Sequence, residues 1–404
     1  GGLLTMSQSS GASQRLISLD ALRGYTIALM VIVNDPGSWS HVYPPLLHAQ
    51  WHGVTLTDLV FPFFLFIVGV SIALAYTKRV DAGPGKKDLH TKIVSRAVKI
   101  MLLGWFLSLW PTFDFAAMRY AGVLPRIAVV FFVCALIFLH TSWKQQMWIA
   151  SLVLVGYWLL MALVPVPIDD VIRQALATGQ VSYSEGLLHI GPITQVSNGF
   201  IAANYEPGVN ITAWLDRLLV PGHFWQKTWD PEGLMSTFPA IVTGMSGMLI
   251  GKLMLSIEDT QRRLTWMFFI GFSLYLLGGA WGWFMPLNKN LWTSSYTLWT
   301  AGLCTMGLAA CMLVVDVLGY TRGTKLGRVY GANAITSYVL AEMLTVVFYA
   351  PILGGASLNG LWMGGATSAG IPPKLASLLY AIMYMLVIYV PAYVLYRKKI
   401  FLKV

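Results

Sequence analysis

His48, Trp51, His52 and Asp58 lie close together, just ahead of an apolar run that continues to Tyr76. An imidazole, with an ordinary pKa of about 6.5, can take up and return a proton at neutral pH. A carboxylate nearby can hold such a ring in one orientation and stabilise its charged form, which is the role open to Asp58. Asp58 also suits a helix start, where Thr55 or Thr57 could cap and a carboxylate meets the helix dipole. One position can do both. Asn34 ends an earlier apolar run, where its amide can donate to an oxyanion or close a helix. His48 and His52 are four apart, the spacing that puts two imidazoles on one helix face in a zinc-binding HExxH. Position 49 is Ala where that motif needs Glu, so no metal is expected.

Polar groups at the mouth of a membrane helix are costly and mark function. Composition supports that setting. The 404 residues are 56% hydrophobic and only 11% charged, with a mean hydropathy of +0.65. Soluble domains carry about 25% charged residues, so the chain reads as an all-α polytopic membrane protein. Its net charge of +10 does not point to nucleic acid, because the basic residues sit between apolar spans. Cys134, Cys304 and Cys311 fall inside apolar runs and form neither a disulfide framework nor a zinc spacing. Residues 1–14 read as a cloning scar or disordered start without signal-peptide features, and 15–404 as one transmembrane domain.

Ten spans of roughly 20 residues each are predicted. They cover about 17–34, 56–77, 97–111, 122–140, 146–164, 233–254, 264–285, 294–318, 329–352 and 375–396. Twenty of the 27 basic residues then fall on one side, which makes both termini cytoplasmic. The His48 loop and the segment 165–232 face outward. That segment is rich in aromatics and ends in WDPEG, Trp229 to Gly233. Aromatic faces beside amides and carboxylates suit a sugar site, and they equally suit an interfacial aromatic belt.

The first span is short. From Ala21 to Asn34 a helix rises about 20 Å, so either Asp20 and Arg23 pair inside the membrane or Asn34 lies below the outer surface. Both options predict a protein-lined or watery cavity open toward the two faces. The sequence has no GxGxxG, Walker or GxSxG motif. Donor phosphates would therefore be gripped by cytoplasmic Lys and Arg and by helix N-termini.

Several blocks resemble the heparan-α-glucosaminide N-acetyltransferase family. They are RLISLDALRG at Arg15, LMVIVN ending at Asn34, HAQWHGVTLTDLVFPFF at His48 and GVLPRIA at Gly122. WDPEG at Trp229, PLNKNLWTSSY at Pro286, GANAITSYVL at Gly331 and YRKKIF near the C-terminus continue the likeness.

The resemblance implies transfer of an acetyl group from cytoplasmic acetyl-CoA to an amino sugar across the membrane. It makes His48 the active-site histidine, with Asn34 beside it and no metal. Donor contacts are expected at Arg23, Arg126, Asn288, Lys289 and Asn333, and acceptor contacts at Trp51, Trp229, Asp230 and Glu232. Partners expected are the lipid bilayer, acetyl-CoA, the sugar and a second copy in a homodimer.

There are departures. The stretch between Asn34 and His48 is longer and holds Pro44 and Pro45, and the family's asparagine after the tryptophan is His52 here. With only about 15 residues before the first span, a bacterial-type inner-membrane homologue without the luminal N-terminal domain is expected. His48 acts either as base, with Asp58 orienting it and Asn34 steadying the oxyanion, or as acetyl carrier. Rival readings are a membrane O-acetyltransferase of polysaccharides and a secondary transporter.

Overall fold

The computed structural model describes residues 16–81, 86–178, 180–183, 186–189 and 195–402. The expected scar or disordered start at 1–14 lies outside them. Helix boundaries follow local chemistry. α1 (Ile17–Asn34) carries Asp20 in its first turn and ends because Pro36 disfavours the helical region for the residue before it. Asp35 accordingly adopts φ −132°, ψ 57°. The predicted end at Asn34 and the Asp20–Arg23 pair, at 3.2 Å, are both present.

α2 (Val60–Asp81) follows a 3-10 turn at Thr57–Leu59. α3 (Lys86–Leu109), α4 (Val123–His140) and α5 (Trp143–Leu163) come next, the last opened by a capping box between Ser142 and Gln145. Then α6 (Asp170–Thr178), α7 (Ile211–Leu219) and five short strands form an extramembrane layer. β1 (Val166–Pro167), β5 (Phe200–Ile201) and β4 (Gln195–Ser197) make one antiparallel sheet, and β2 (Gln180–Tyr183) pairs with β3 (Gly186–His189). The bundle resumes with α8 (Thr237–Ser256), α9 (Thr260–Trp281) and α10 (Ser294–Cys311). It closes with α11 (Lys325–Ala332), α12 (Ala334–Tyr349), α13 (Leu358–Ser368) and α14 (Pro373–Arg397).

Among the described residues, eight helices are long and apolar enough to cross a membrane, and α11 with α12 makes a ninth if the pair counts as one span. This count rests on length and composition alone and stands beside the ten spans expected. The predicted span 97–111 is the apolar end of α3, whose first half carries Lys87, Asp88, Lys92 and Arg96. The predicted span 329–352 falls on α11 and α12, which meet at a bend of 77°. Asn333 leaves the helical region there, and its side chain donates to Ile400 O at 3.2 Å and accepts from Leu402 N at 2.8 Å.

Without a hydrophobic drive between lipid-embedded helices, close approach comes through small residues. A methyl on Gly24 would lie 1.5 Å from Gly327 O, and one on Gly69 1.9 Å from Gly244 O. Around these contacts Phe64, Leu65, Ile127, Met245, Trp292 and Tyr296 form one buried core.

The loops sort by end. At one end, Gly53 N donates to Leu287 O, Arg119 bridges to Gly222, and Trp51 Nε1 donates to Tyr205 O. At the other, Tyr25 bonds Gly323 O and Ser18 bonds Asp316.

Candidate active site

The loop entering α2 holds a 3-10 turn at Pro44–Leu46 but no helix over 48–52 to align His48 with His52, and Gly53 follows with a positive φ of 100°. The two imidazoles diverge. His48 Nδ1 lies 2.7 Å from Asp58 Oδ1, while His52 Nδ1 meets Asn288 Nδ2 at 3.3 Å. Partial burial holds His52 below the ordinary imidazole value, with the Glu206 charge pulling the other way.

Asp58 is 1% exposed, and its second oxygen accepts from Ala49 N at 3.0 Å and Thr55 N at 2.9 Å. It thus occupies a helix start and orients the imidazole together. The phenol of Tyr296 donates to the Asp58 main-chain oxygen, tying α10 to this turn. The His48 side chain is 49% exposed. A carboxylate accepts from Nδ1–H, which leaves the lone pair on Nε2. Among the described residues Nε2 has no hydrogen-bond partner, so His48 presents a basic nitrogen toward solvent.

Asn34 stands apart. Its side chain lies against Glu342 of α12, and among the described residues no hydrogen bond links it to His48. Asp35, beside it, is buried next to the same Glu342. Neither acid was singled out in the sequence.

The expected acceptor residues form a second cluster at the same end. Trp51 and Trp229 are both buried and meet edge to face, with centroids 5.0 Å apart. Asp230 and Glu232 are buried as well, and protein groups occupy them. Arg119, which sequence reasoning missed, binds Asp230 through Nε at 2.7 Å and Nη2 at 2.5 Å, and Glu232 through Nη2 at 2.7 Å. Lys289 Nζ reaches Glu232 at 3.3 Å. Burial alone would raise Glu232, but Lys289, Arg119 and Arg126 outweigh it and hold the carboxyl at about 2. Burial would likewise depress Arg119, yet Asp230 and Glu232 raise it above the ordinary value. The indole open for stacking is Trp225, 61% exposed and 5.3 Å from the Arg119 guanidinium.

The expected donor residues are dispersed. Arg126 is 2% exposed and donates to Pro231 O, Gly233 O and Ser236 Oγ, with its guanidinium 5.5 Å from the Trp292 ring centre. It clamps the WDPEG turn through these contacts, while its Nε has no hydrogen-bond partner among the described residues. Asn288 and Lys289 also lie at the His48 end, on His52 and Glu232. Arg23 and Asn333 belong to the opposite end, Arg23 on Asp20 and Ser71, Asn333 on the tail.

A bundle of membrane-length helices with a hydrogen-bonded, half-exposed histidine in a loop at one end defines a class, the multi-pass membrane protein with a histidine–carboxylate pair at a helix mouth. Residues 15–182 match the family model described as heparan-alpha-glucosaminide N-acetyltransferase, catalytic. The human heparan-alpha-glucosaminide N-acetyltransferase is 31% identical over 98% of this chain and 61% of its own length. The mouse enzyme is 28% identical over 97% of this chain and 61% of its own length. The chain is similar to these proteins over nearly its whole length and spans 61% of theirs.

Proposed function

We propose that the chain transfers an acetyl group from acetyl-CoA to the amine of a glucosamine-type sugar. The observation that carries this reading is the His48–Asp58 pair, 2.7 Å apart, with the carboxylate buried and the imidazole open. An amine attacks a thioester unprotonated and sheds a proton as the tetrahedral intermediate forms. His48 Nε2 takes that proton and returns one to the departing thiolate, Asp58 holds the ring, and the Asn34 amide steadies the oxyanion. Trp51, Trp229, Asp230 and Glu232 build the wall of the acceptor end. Arg23 and Asn333, at the opposite end, serve the donor.

The charge bias makes that opposite end cytoplasmic, with both termini there and the His48 loop outside. The bilayer is then the inner membrane, the donor arm threads between helices, and the two substrates meet from opposite faces. Sealed vesicles of known orientation test this. Acetyl-CoA supplied only to the cytoplasmic face should acetylate glucosamine supplied only to the other. Product formed solely when both share a side would refute the transmembrane route. Protein-bound label from acetyl-CoA without acceptor would replace the general-base role with an acetyl-histidine.

A further inference from the structure

The outer end of α1 holds a group of polar side chains that the His48–Asp58 pair does not use. Asp35 is 1% exposed, and neither of its carboxylate oxygens has a hydrogen-bond partner, although the Thr345 hydroxyl lies beside it. The charge acting on it is another acid, Glu342 of α12, which also touches Asn34. Tyrosines complete the surroundings. Tyr349 donates to Pro36 O and Tyr384 to Ala341 O, so those hydroxyls are occupied. The Tyr380 hydroxyl is not: the residue is 5% exposed, it lies close enough to Asp35 to feel its charge, and its oxygen has no partner.

Three buried polar atoms, two on Asp35 and one on Tyr380, are therefore unmatched next to a second carboxyl. Two neighbouring buried carboxyls are stable only with a proton or a cation between them. Aromatic rings around them favour an organic cation over a strongly hydrated ion. An ammonium group has three N–H donors for the three unmatched atoms.

We propose that Asp35, with Glu342, receives the ammonium group of the amine acceptor and takes its first proton. The inference rests on the acetyltransferase reading above. A sugar amine at neutral pH arrives largely as R–NH3+, which cannot attack. One proton passes to the carboxyl pair and leaves R–NH2, whose lone pair forms the bond to the thioester carbon. The second nitrogen proton goes to His48 and then to the departing CoA thiolate as the C–S bond breaks. One proton per turnover stays on the carboxyl pair and is released to water, which balances the reaction. Tyr338 stands between this group and the Arg119 network, since the charges of Asp35 and Glu342 act on it together with those of Glu232 and Arg119.

Thermal stabilisation of the detergent-purified chain by glucosamine and by glucose at pH 7 is the test. Glucosamine should stabilise the wild type and glucose should not. Asp35→Asn should lower the apparent glucosamine affinity at least tenfold and leave acetyl-CoA binding unchanged. Should that variant fail to fold, Glu342→Gln carries the same expectation. Equal stabilisation by the two sugars, or a folded variant that binds glucosamine like the wild type, overturns the proposal. The two readings fail separately. Full acetyl transfer by Asp35→Asn sinks the ammonium site alone. A wild type that binds glucosamine through Asp35 yet transfers no acetyl sinks the acetyltransferase reading alone.

Discussion

The Arg119 guanidinium grips Asp230 with two parallel hydrogen bonds, Nε to Oδ2 at 2.7 Å and Nη2 to Oδ1 at 2.5 Å. This fork fastens the turn after α3 to the segment that leads into α8. Lysine offers a point charge in place of a planar fork, so Arg119→Lys should lower the thermal midpoint measurably in detergent. Arg119→Met should do more, about 3–5 kcal/mol, because Asp230 and Glu232 then share fewer cations while buried. An unchanged midpoint in both variants would mean that the network contributes little to stability.

Asp216, on α7, predicts a pH dependence. Burial pushes its carboxyl up to about 7, despite a hydrogen bond from Met235 N and the nearby Arg126 charge. The unfolded chain ionises this group near 3.8. Its contribution to stability is therefore present below that value and lost as pH rises to about 7. Glu232 has the opposite sign: its contribution is present above 4.5 and lost as pH falls toward about 2. Thermal midpoints measured from pH 4 to 7 should decline less steeply in Asp216→Asn than in the wild type. Identical slopes would disprove the assignment.

His48→Ala should abolish acetyl transfer with little change in the thermal midpoint, since the side chain is 49% exposed. Asp58→Asn keeps the size of the side chain but loses the charge that fixes the ring, and should lower turnover by about 10²–10⁴-fold. Retention of more than a few per cent of activity by His48→Ala would remove the histidine from the chemistry.

Asn34→Ala should reduce turnover by about 10²–10³-fold if its amide meets the developing oxyanion. Its contact with Glu342 supplies the competing outcome. A change confined to the apparent KM for the amine would make Asn34 a binding residue.

The helical class was legible because apolar runs of membrane length need only composition to be recognised. The end of α1 was legible as well, since Asp35-Pro36 is a local stop signal. The His48–Asp58 pair could be anticipated from residue types ten positions apart. What remained hidden were pairings across the chain. Nothing near Arg119 announces that its partners are Asp230 and Glu232, more than a hundred positions later. Asp35 and Glu342 meet only because α1 packs beside α12. Arg126 was expected among the donor contacts, and sequence cannot show that Pro231 O, Gly233 O and Ser236 Oγ accept from it. The bend at Asn333 depends on the distant tail at Ile400 and Leu402.

The shortness of α1 has an electrical consequence. Its 18 residues rise about 27 Å, whereas the 25 residues of α14 rise about 37 Å. Asp35 follows the last residue of α1 and is 1% exposed, so it lies inside the protein and not in the water beyond the helix end. A charge moved across the whole membrane changes energy by about 2.3 kcal/mol per 100 mV. Any proton or ammonium that reaches Asp35 from outside crosses part of that drop, so an inside-negative potential draws cations inward to the carboxyl and resists their return. Under the proposed acetyl transfer, turnover in energised vesicles should therefore change with membrane voltage.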